Sequence, residues 1–204
     1  MSAVSLDLNG YTDIPNDKIA FVVTFLEMLA KPSETRVCEA PKGVSLERWE
    51  TPSPADYIRL FRQIGDDWLW FGRLVLGEDK LANVLKEETR EIYCPVKDGK
   101  RLGLLEIDFA DPKNPELAYF GLVPEAIGSG MGRWLIQQGI DFVWRRPETQ
   151  RFWLHTCTGD SPQALGFYQS NGFRPYKRSV EVADDPRHLG VLEDVLGPHL
   201  PKLA

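Results

Sequence analysis

The run Gly128-Ser129-Gly130-Met131-Gly132-Arg133 places three glycines in five positions, between the apolar stretch 117–123 and an amphipathic stretch, Trp134 to Trp144. Glycines let main-chain N–H groups crowd against a bulky anion, and a helix starting there adds unpaired N–H groups and a partial positive charge. The chemistry this predicts is a phosphate cradle. It is not a P-loop, because no Lys follows Gly132. It is not a dinucleotide fingerprint, because the third glycine would fall on Arg133 counted from Gly128, or on Leu135 counted from Gly130.

A second block, Ser161-Pro162-Gln163-Ala164-Leu165-Gly166-Phe167-Tyr168, continues through Asn171-Gly172-Phe173. It reads as a short helix with Ser161 as cap, Pro162 at the first position and Gly172 closing it in a left-handed conformation. Together, and in this order, the two blocks resemble the GNAT superfamily of acyl-CoA-dependent N-acetyltransferases. The first resembles the family's Arg/Gln-x-x-Gly-x-Gly/Ala loop at Gly130 and Gly132, with Ile127 where Arg or Gln is usual. The second matches at Ala164, Phe167, Tyr168, Gly172 and Phe173, with Ser161 in place of the common Asn.

The resemblance implies acetyl-CoA as cosubstrate. Its pyrophosphate is expected on the N–H groups of Gly128, Ser129, Gly130, Met131, Gly132 and Arg133, with Ile127 and Ser161 beside it. Its pantetheine arm is expected along Leu122 and Val123. The implied reaction is direct attack of a primary amine on the thioester, with Tyr168 as partner of the departing thiolate. A phenol of pKa about 10 is a weaker acid than a thiol of about 8.5, so Tyr168 is expected to act mainly by hydrogen bonding.

The base has several candidates. Glu116 opens the strand before the glycine loop, Glu106 and Asp108 lie on the preceding strand, and Glu27 sits among apolar neighbours that would raise its pKa. Trp68 and Trp70 read either as core or as a wall of the acceptor pocket, where an aromatic face favours a cation. His155 and Cys157 share a strand face, but a metal would need further ligands that only His188 and His199 remain to supply. A thiol nucleophile would need an oriented base. No metal is expected, and His155 is read as facing the cleft or making a structural hydrogen bond.

These residues must be positioned by elements the pattern also predicts. Strands are expected over Ile19–Leu29, 46–50, Tyr93–Lys97, Arg101–Phe109, Leu117–Val123, Phe152–Thr156 and from 173 to about Val182. Asp98-Gly99 signals a hairpin. Helices are expected from Ser53-Pro54 to Gly65, over Glu78–Glu87, through Trp144 and around Tyr168, with a short one around Leu189 to Leu196; 31–45 reads as loop. The resemblance implies an α/β (α+β) fold, a mixed, mainly antiparallel central sheet flanked by helices. The 204 residues are read as one domain: 1–95 a variable substrate-side half, 96–182 the acetyl-CoA core, 183–204 a tail.

Composition bounds the partners. A net charge of −6 without a dense basic stripe argues against nucleic acid and suits a cationic amine, of a small molecule or peptide. No apolar stretch is long enough to span a membrane, and the first residues lack a basic region followed by an apolar run. The three scattered cysteines suggest free thiols and a cytoplasmic location. Either a monomer or a homodimer is expected. The alternative to an N-acetyltransferase is a non-catalytic acyl-CoA-binding module of the same fold.

Overall fold

The computed structural model describes residues 5–33 and 38–203. Residues 34–37, within the expected 31–45 loop, and both chain ends lie outside the described residues. The elements in chain order are β1 (Lys18–Met28), β2 (Ser45–Arg48), α1 (Pro54–Gly65), α2 (Glu78–Leu85), β3 (Arg90–Lys97), β4 (Lys100–Arg101), β5 (Gly103–Asp108), β6 (Glu116–Leu122), α3 (Met131–Trp144), β7 (Phe152–Cys157), α4 (Ala164–Ser170) and β8 (Arg174–Asp184). Short 3₁₀ turns at 66–68 and 74–76 bracket the aromatic segment between α1 and α2, and another, Pro124–Ala126, leads into the glycine loop.

Local chemistry sets several boundaries as the sequence foretells. The Ser53 hydroxyl accepts the Asp56 N–H at 3.1 Å and Pro54 opens α1, whose Tyr57, Leu60, Phe61 and Ile64 form its buried stripe. Asp98 and Gly99 have φ of 50° and 74°, the left-handed pair a tight hairpin needs between β3 and β4. Two expectations are corrected. Ser161 does not cap α4: the helix starts at Ala164, and residues 161–163 form a turn. Residues 189–196 form turns instead of a helix, folded around a buried Arg187 that donates to the carbonyls of Leu196 and Leu200.

The sheet is eight-stranded and runs β2-β3-β5-β6-β7-β1-β8, with β4 paired to β3. Its pairs are antiparallel except β6 with β7. The first strand of the chain thus lies in the far half of the sheet, between the last two strands. α1 packs on one face and α3 and α4 on the other: Glu106 of β5 meets Tyr57 of α1, while Phe120 of β6 stacks on Phe167 of α4 at 5.5 Å. The main core, including Leu26, Phe61, Leu105, Ile107, Ile136 and Phe152, fills both interfaces. A smaller cluster joins Ile19, Phe21 and Val23 of β1 to Leu69 and to Leu192 of the tail.

Two irregularities open this sheet. On β6 the register with β5 slips: Asp108 faces Glu116 and Glu106 faces Tyr119, so an extra residue bulges near Ala118. Between β6 and β7 a single pair, Glu116 with Trp153, joins the strands. Beyond it they diverge, and the edge of β6 that faces β7 has no strand against it among the described residues.

Candidate active site

The divergence of β6 and β7 is the neck of a cavity of about 830 Å³ that passes from one face of the sheet to the other. On the α3/α4 face it is bordered by the glycine loop, Phe167 and Tyr168; on the α1 face by Trp68 to Gly72, Phe21, His155 and Glu181.

The glycine loop is built for close approach. Gly128 and Gly130 have φ of +81° and +83°, and a Cβ at either would meet nothing within 4 Å, so both face open space. Gly130 precedes α3 in a left-handed conformation, and no side chain caps the helix through it. The Ser129 hydroxyl instead donates to Ala126 O at 2.6 Å, tying the loop back on itself. The same hydroxyl accepts a long 3.4 Å contact from the Met131 N–H, and the following first-turn N–H groups of α3 have no intrahelical partners. Arg133 borders the cavity and has no ion-pair partner among the described residues. Ile127, Gly132, Leu122 and Ser161 also border the cavity; Val123 and Met131 are buried beneath it. An acyl-CoA fits these residues: main-chain donors, a helix terminus and an arginine for its phosphates, and the free edge of β6 for the amides of its arm.

Tyr168 is 8% exposed, packed edge-on against Phe120, Phe167 and Phe173, and borders the cavity. Its hydroxyl has no hydrogen-bond partner among the described residues. Burial, reinforced by the charge of Asp160, pushes the phenol well above its usual range. Tyr168 is thus held protonated as a donor.

His155, on β7, borders the cavity from the opposite face. Its Nδ1 lies 3.6 Å from a carboxylate oxygen of Glu116, an ion-pair distance longer than a normal hydrogen bond. Glu116 stands at the residue pair that joins β6 to β7, so the two side chains meet where the strands part. Phe25 and Trp153 hold the imidazole plane at ring distances of 5.7 and 6.4 Å. The Glu116 carboxylate raises the His155 pKa above 6.5 despite the opposing effect of burial. From the sequence alone Glu116 is a candidate base and His155 either faces the cleft or makes a structural hydrogen bond; the β6–β7 register brings the two together. The signal was the alternation of β7; the missing step was the register with β6.

The remaining candidates fall in different places. Trp68 and Trp70 both border the cavity. Trp70 is a strut across it: its indole N–H donates to Asp160 at 3.0 Å, and Asp160 also accepts from Thr156 at 2.6 Å and from the Cys157 N–H at 2.9 Å. Glu27 does not border the cavity; its carboxylate pairs with Arg151 at 2.8 Å. Glu106 is fully buried among Tyr57, Arg73 and Arg90. Burial pushes the Cys157 thiol up to about 12, so it stays neutral. The three cysteines are unbonded, and no group of three or more metal-ligating side chains assembles among the described residues. No helix among them is long and apolar enough to cross a membrane.

This fold has solved counterparts. A tandem GNAT protein from the clavulanic acid biosynthesis pathway is similar with a TM-score of 0.58 at 20% identity, over 80% of this chain and 53% of that one. A GCN5-related N-acetyltransferase from Sphaerobacter thermophilus gives 0.56 at 14%, over 81% and 52%. A putative GNAT-family acetyltransferase from Novosphingobium aromaticivorans gives 0.53 at 15%, over 84% and 68%. The chain thus spans about half the length of the first two. No curated protein matches it. The model of the acetyltransferase (GNAT) family matches residues 46–173, which includes the glycine loop, Glu116, His155 and Tyr168. The chain belongs to the GNAT acetyltransferase family.

Proposed function

We propose that this protein is an N-acetyltransferase that uses acetyl-CoA to acetylate a primary amine of a small molecule or peptide by direct attack. The observation that carries this reading is the single cavity through the sheet, with Tyr168 bordering it on the glycine-loop face and His155, backed by Glu116, on the other. Acetyl-CoA supplies the activated acetyl group. The loop 128–133 and Arg133 hold its phosphates, beside Ile127 and Ser161, and β6 around Leu122 and Val123 aligns its arm. Tyr168 donates a hydrogen bond where negative charge gathers on sulfur. His155 takes a proton from the attacking amine through its Nε2, while the Glu116 carboxylate on the Nδ1 side favours the charged imidazolium. Cys157 carries no acyl group in this scheme, because a thiol raised to about 12 offers almost no thiolate near neutral pH.

The test is thiol release from acetyl-CoA with an amine panel, paired with calorimetry of acetyl-CoA binding. Tyr168→Phe is expected to lower kcat by about 10²-fold or more while changing acetyl-CoA affinity little, since the hydroxyl matters as charge develops. An unchanged kcat would reduce Tyr168 to a packing residue.

A further inference from the structure

The part of the cavity on the α1 face has a composition of its own. Phe21 and Phe71 stack there with ring centroids 6.4 Å apart, and Trp68, Leu69 and the neutral Cys157 complete an apolar wall. Leu69 is held in the left-handed region at φ 54° and ψ 39°, an unfavourable conformation for leucine. Its buried side chain is packed so closely beneath the tail that a Cβ on Gly197 would lie 2.5 Å from it. The wall is therefore fixed in shape by the C-terminal tail before any acceptor arrives.

Charge on this side is sparse and, apart from His155 beside Glu116, acidic. Asp160 is committed to three hydrogen bonds. Glu181, opposite Phe21 in the β1–β8 register, borders the cavity and forms no ion pair among the described residues. Glu39 also borders the cavity. The only lysine or arginine among the described residues that border it is Arg133, which belongs to the glycine loop. A substrate carboxylate or phosphate would find no lysine or arginine among the described residues on this face of the lining, His155 already facing the Glu116 carboxylate, and would be repelled by Glu181. A polycation or a polyhydroxylated amine would bring more polar groups than this wall can satisfy.

From this composition we infer that the acceptor is an arylalkyl monoamine: one primary amine on an aromatic body, bearing no acidic group. The aromatic body packs against Phe71 and Trp68, with Phe21 stacked behind Phe71; Glu181 draws in the ammonium, and the apolar wall favours its loss of a proton toward His155. This inference rests on the transfer function proposed above and narrows its substrate class. A cavity of about 830 Å³ that also receives the end of the acyl-CoA arm leaves room for a small acceptor only.

The experiment compares phenethylamine and tryptamine with phenylalanine, spermidine and kanamycin as acceptors for the purified full chain with acetyl-CoA, following thiol release and product mass. Calorimetry of acetyl-CoA binding runs in parallel. Phenethylamine is expected to exceed phenylalanine, which adds only the α-carboxylate, by about 100-fold in kcat/KM, and to exceed spermidine and kanamycin by a similar factor. Phe71→Ala should raise the KM for phenethylamine about tenfold, and the surface variant Glu181→Gln should raise it severalfold. Acetyl-CoA affinity should be the same in both variants. Acetyl-CoA binding with faster turnover of spermidine, kanamycin or phenylalanine would overturn the substrate class and leave the transfer function standing. Failure to bind acetyl-CoA, with no amine acetylated, would overturn both.

Discussion

His155 must be neutral to accept a proton, and its neighbours decide the pH at which it is. Glu116 faces it from β6, Asp160 from the turn after β7 and Glu181 from β8, and all three favour the imidazolium. Lys177, 4.2 Å from the centre of the Phe25 ring, is the nearby cation on β8. Because the pKa is raised, kcat/KM should fall on the acid side with an inflection above 6.5. Glu116→Gln should move that inflection to lower pH. His155→Gln should abolish it and lower kcat by about 10²- to 10⁴-fold. An acid limb that survives in His155→Gln would give the proton to another group. Stability runs the other way: a group whose folded pKa is raised stabilises the fold below about 6.5, and that contribution is lost as pH rises through the folded value. Tyr168 was legible in the sequence because its spacing from Ala164 and Gly172 belongs to one local block. Glu27 was misleading for a long-range reason. Its apolar neighbours in sequence suggest burial, yet β1 lies between β7 and β8, which brings Arg151 to its carboxylate.

The glycine loop and α3 form the element on which the proposed acetyl-CoA binding turns, and its glycines are not equivalent. Gly130 sits at φ +83° facing open space, so an alanine there is strained and adds a methyl group in the cradle. Gly132 lies inside α3 with ordinary backbone, and a Cβ there would meet Leu122 and Phe167 at 3.6 and 3.7 Å, normal contact distances. Gly132→Ala should therefore retain acetyl-CoA affinity. Its better helix propensity, up to about 1 kcal/mol, should raise Tm by roughly 2–4 °C. Gly130→Ala should lose tenfold or more in affinity and lower Tm by a similar amount. Calorimetry and thermal melts of the two variants check this, and equal losses in both would remove the cradle from the argument. The loop was readable from sequence because a strand, a cluster of glycines and an amphipathic run are consecutive. The start of α4 was not: Ser161 and Pro162 have the right types for a cap, but Ser161 donates to Gln163 at 2.6 Å in a turn that leaves it beside the cavity. The expected helix near the tail failed because Arg187 takes the carbonyls of Leu196 and Leu200, and its own partner Asp185 lies buried with it.

At the scale of the molecule, strand order was the part that local pattern did not disclose, because pairing across the sheet depends on contacts distant in sequence. The same holds for the buried network next to segment 68–72, the wall proposed for the acceptor. Glu106 of β5, fully buried, accepts from the Tyr57 hydroxyl of α1, from Arg73 and, at 2.9 Å, from Arg90 of β3; Arg90 reaches Asp108 at 2.7 Å. The guanidinium of Arg73 also lies 5.0 Å from the centre of the Tyr119 ring. Arg73 directly follows the segment 68–72 that borders the cavity, so the network ties this wall to three sheet and helix elements at once. From sequence, Glu106 is a candidate base; in the fold its carboxylate is fully buried and does not border the cavity. Replacing it leaves two arginines short of their shared anion in a buried place, at a cost of about 3–5 kcal/mol. That is a large share of a typical stability of about 5–15 kcal/mol. Glu106→Gln should accordingly lower the urea midpoint strongly, and Asp108→Asn, which spares Glu106, should lower it less. In the fraction that stays folded at low temperature, Glu106→Gln should raise the KM for the amine and leave acetyl-CoA affinity intact, because the phosphate cradle lies on the other face of the sheet. A shifted midpoint with an unchanged amine KM would make the network a stabilising device with no hold on the acceptor wall.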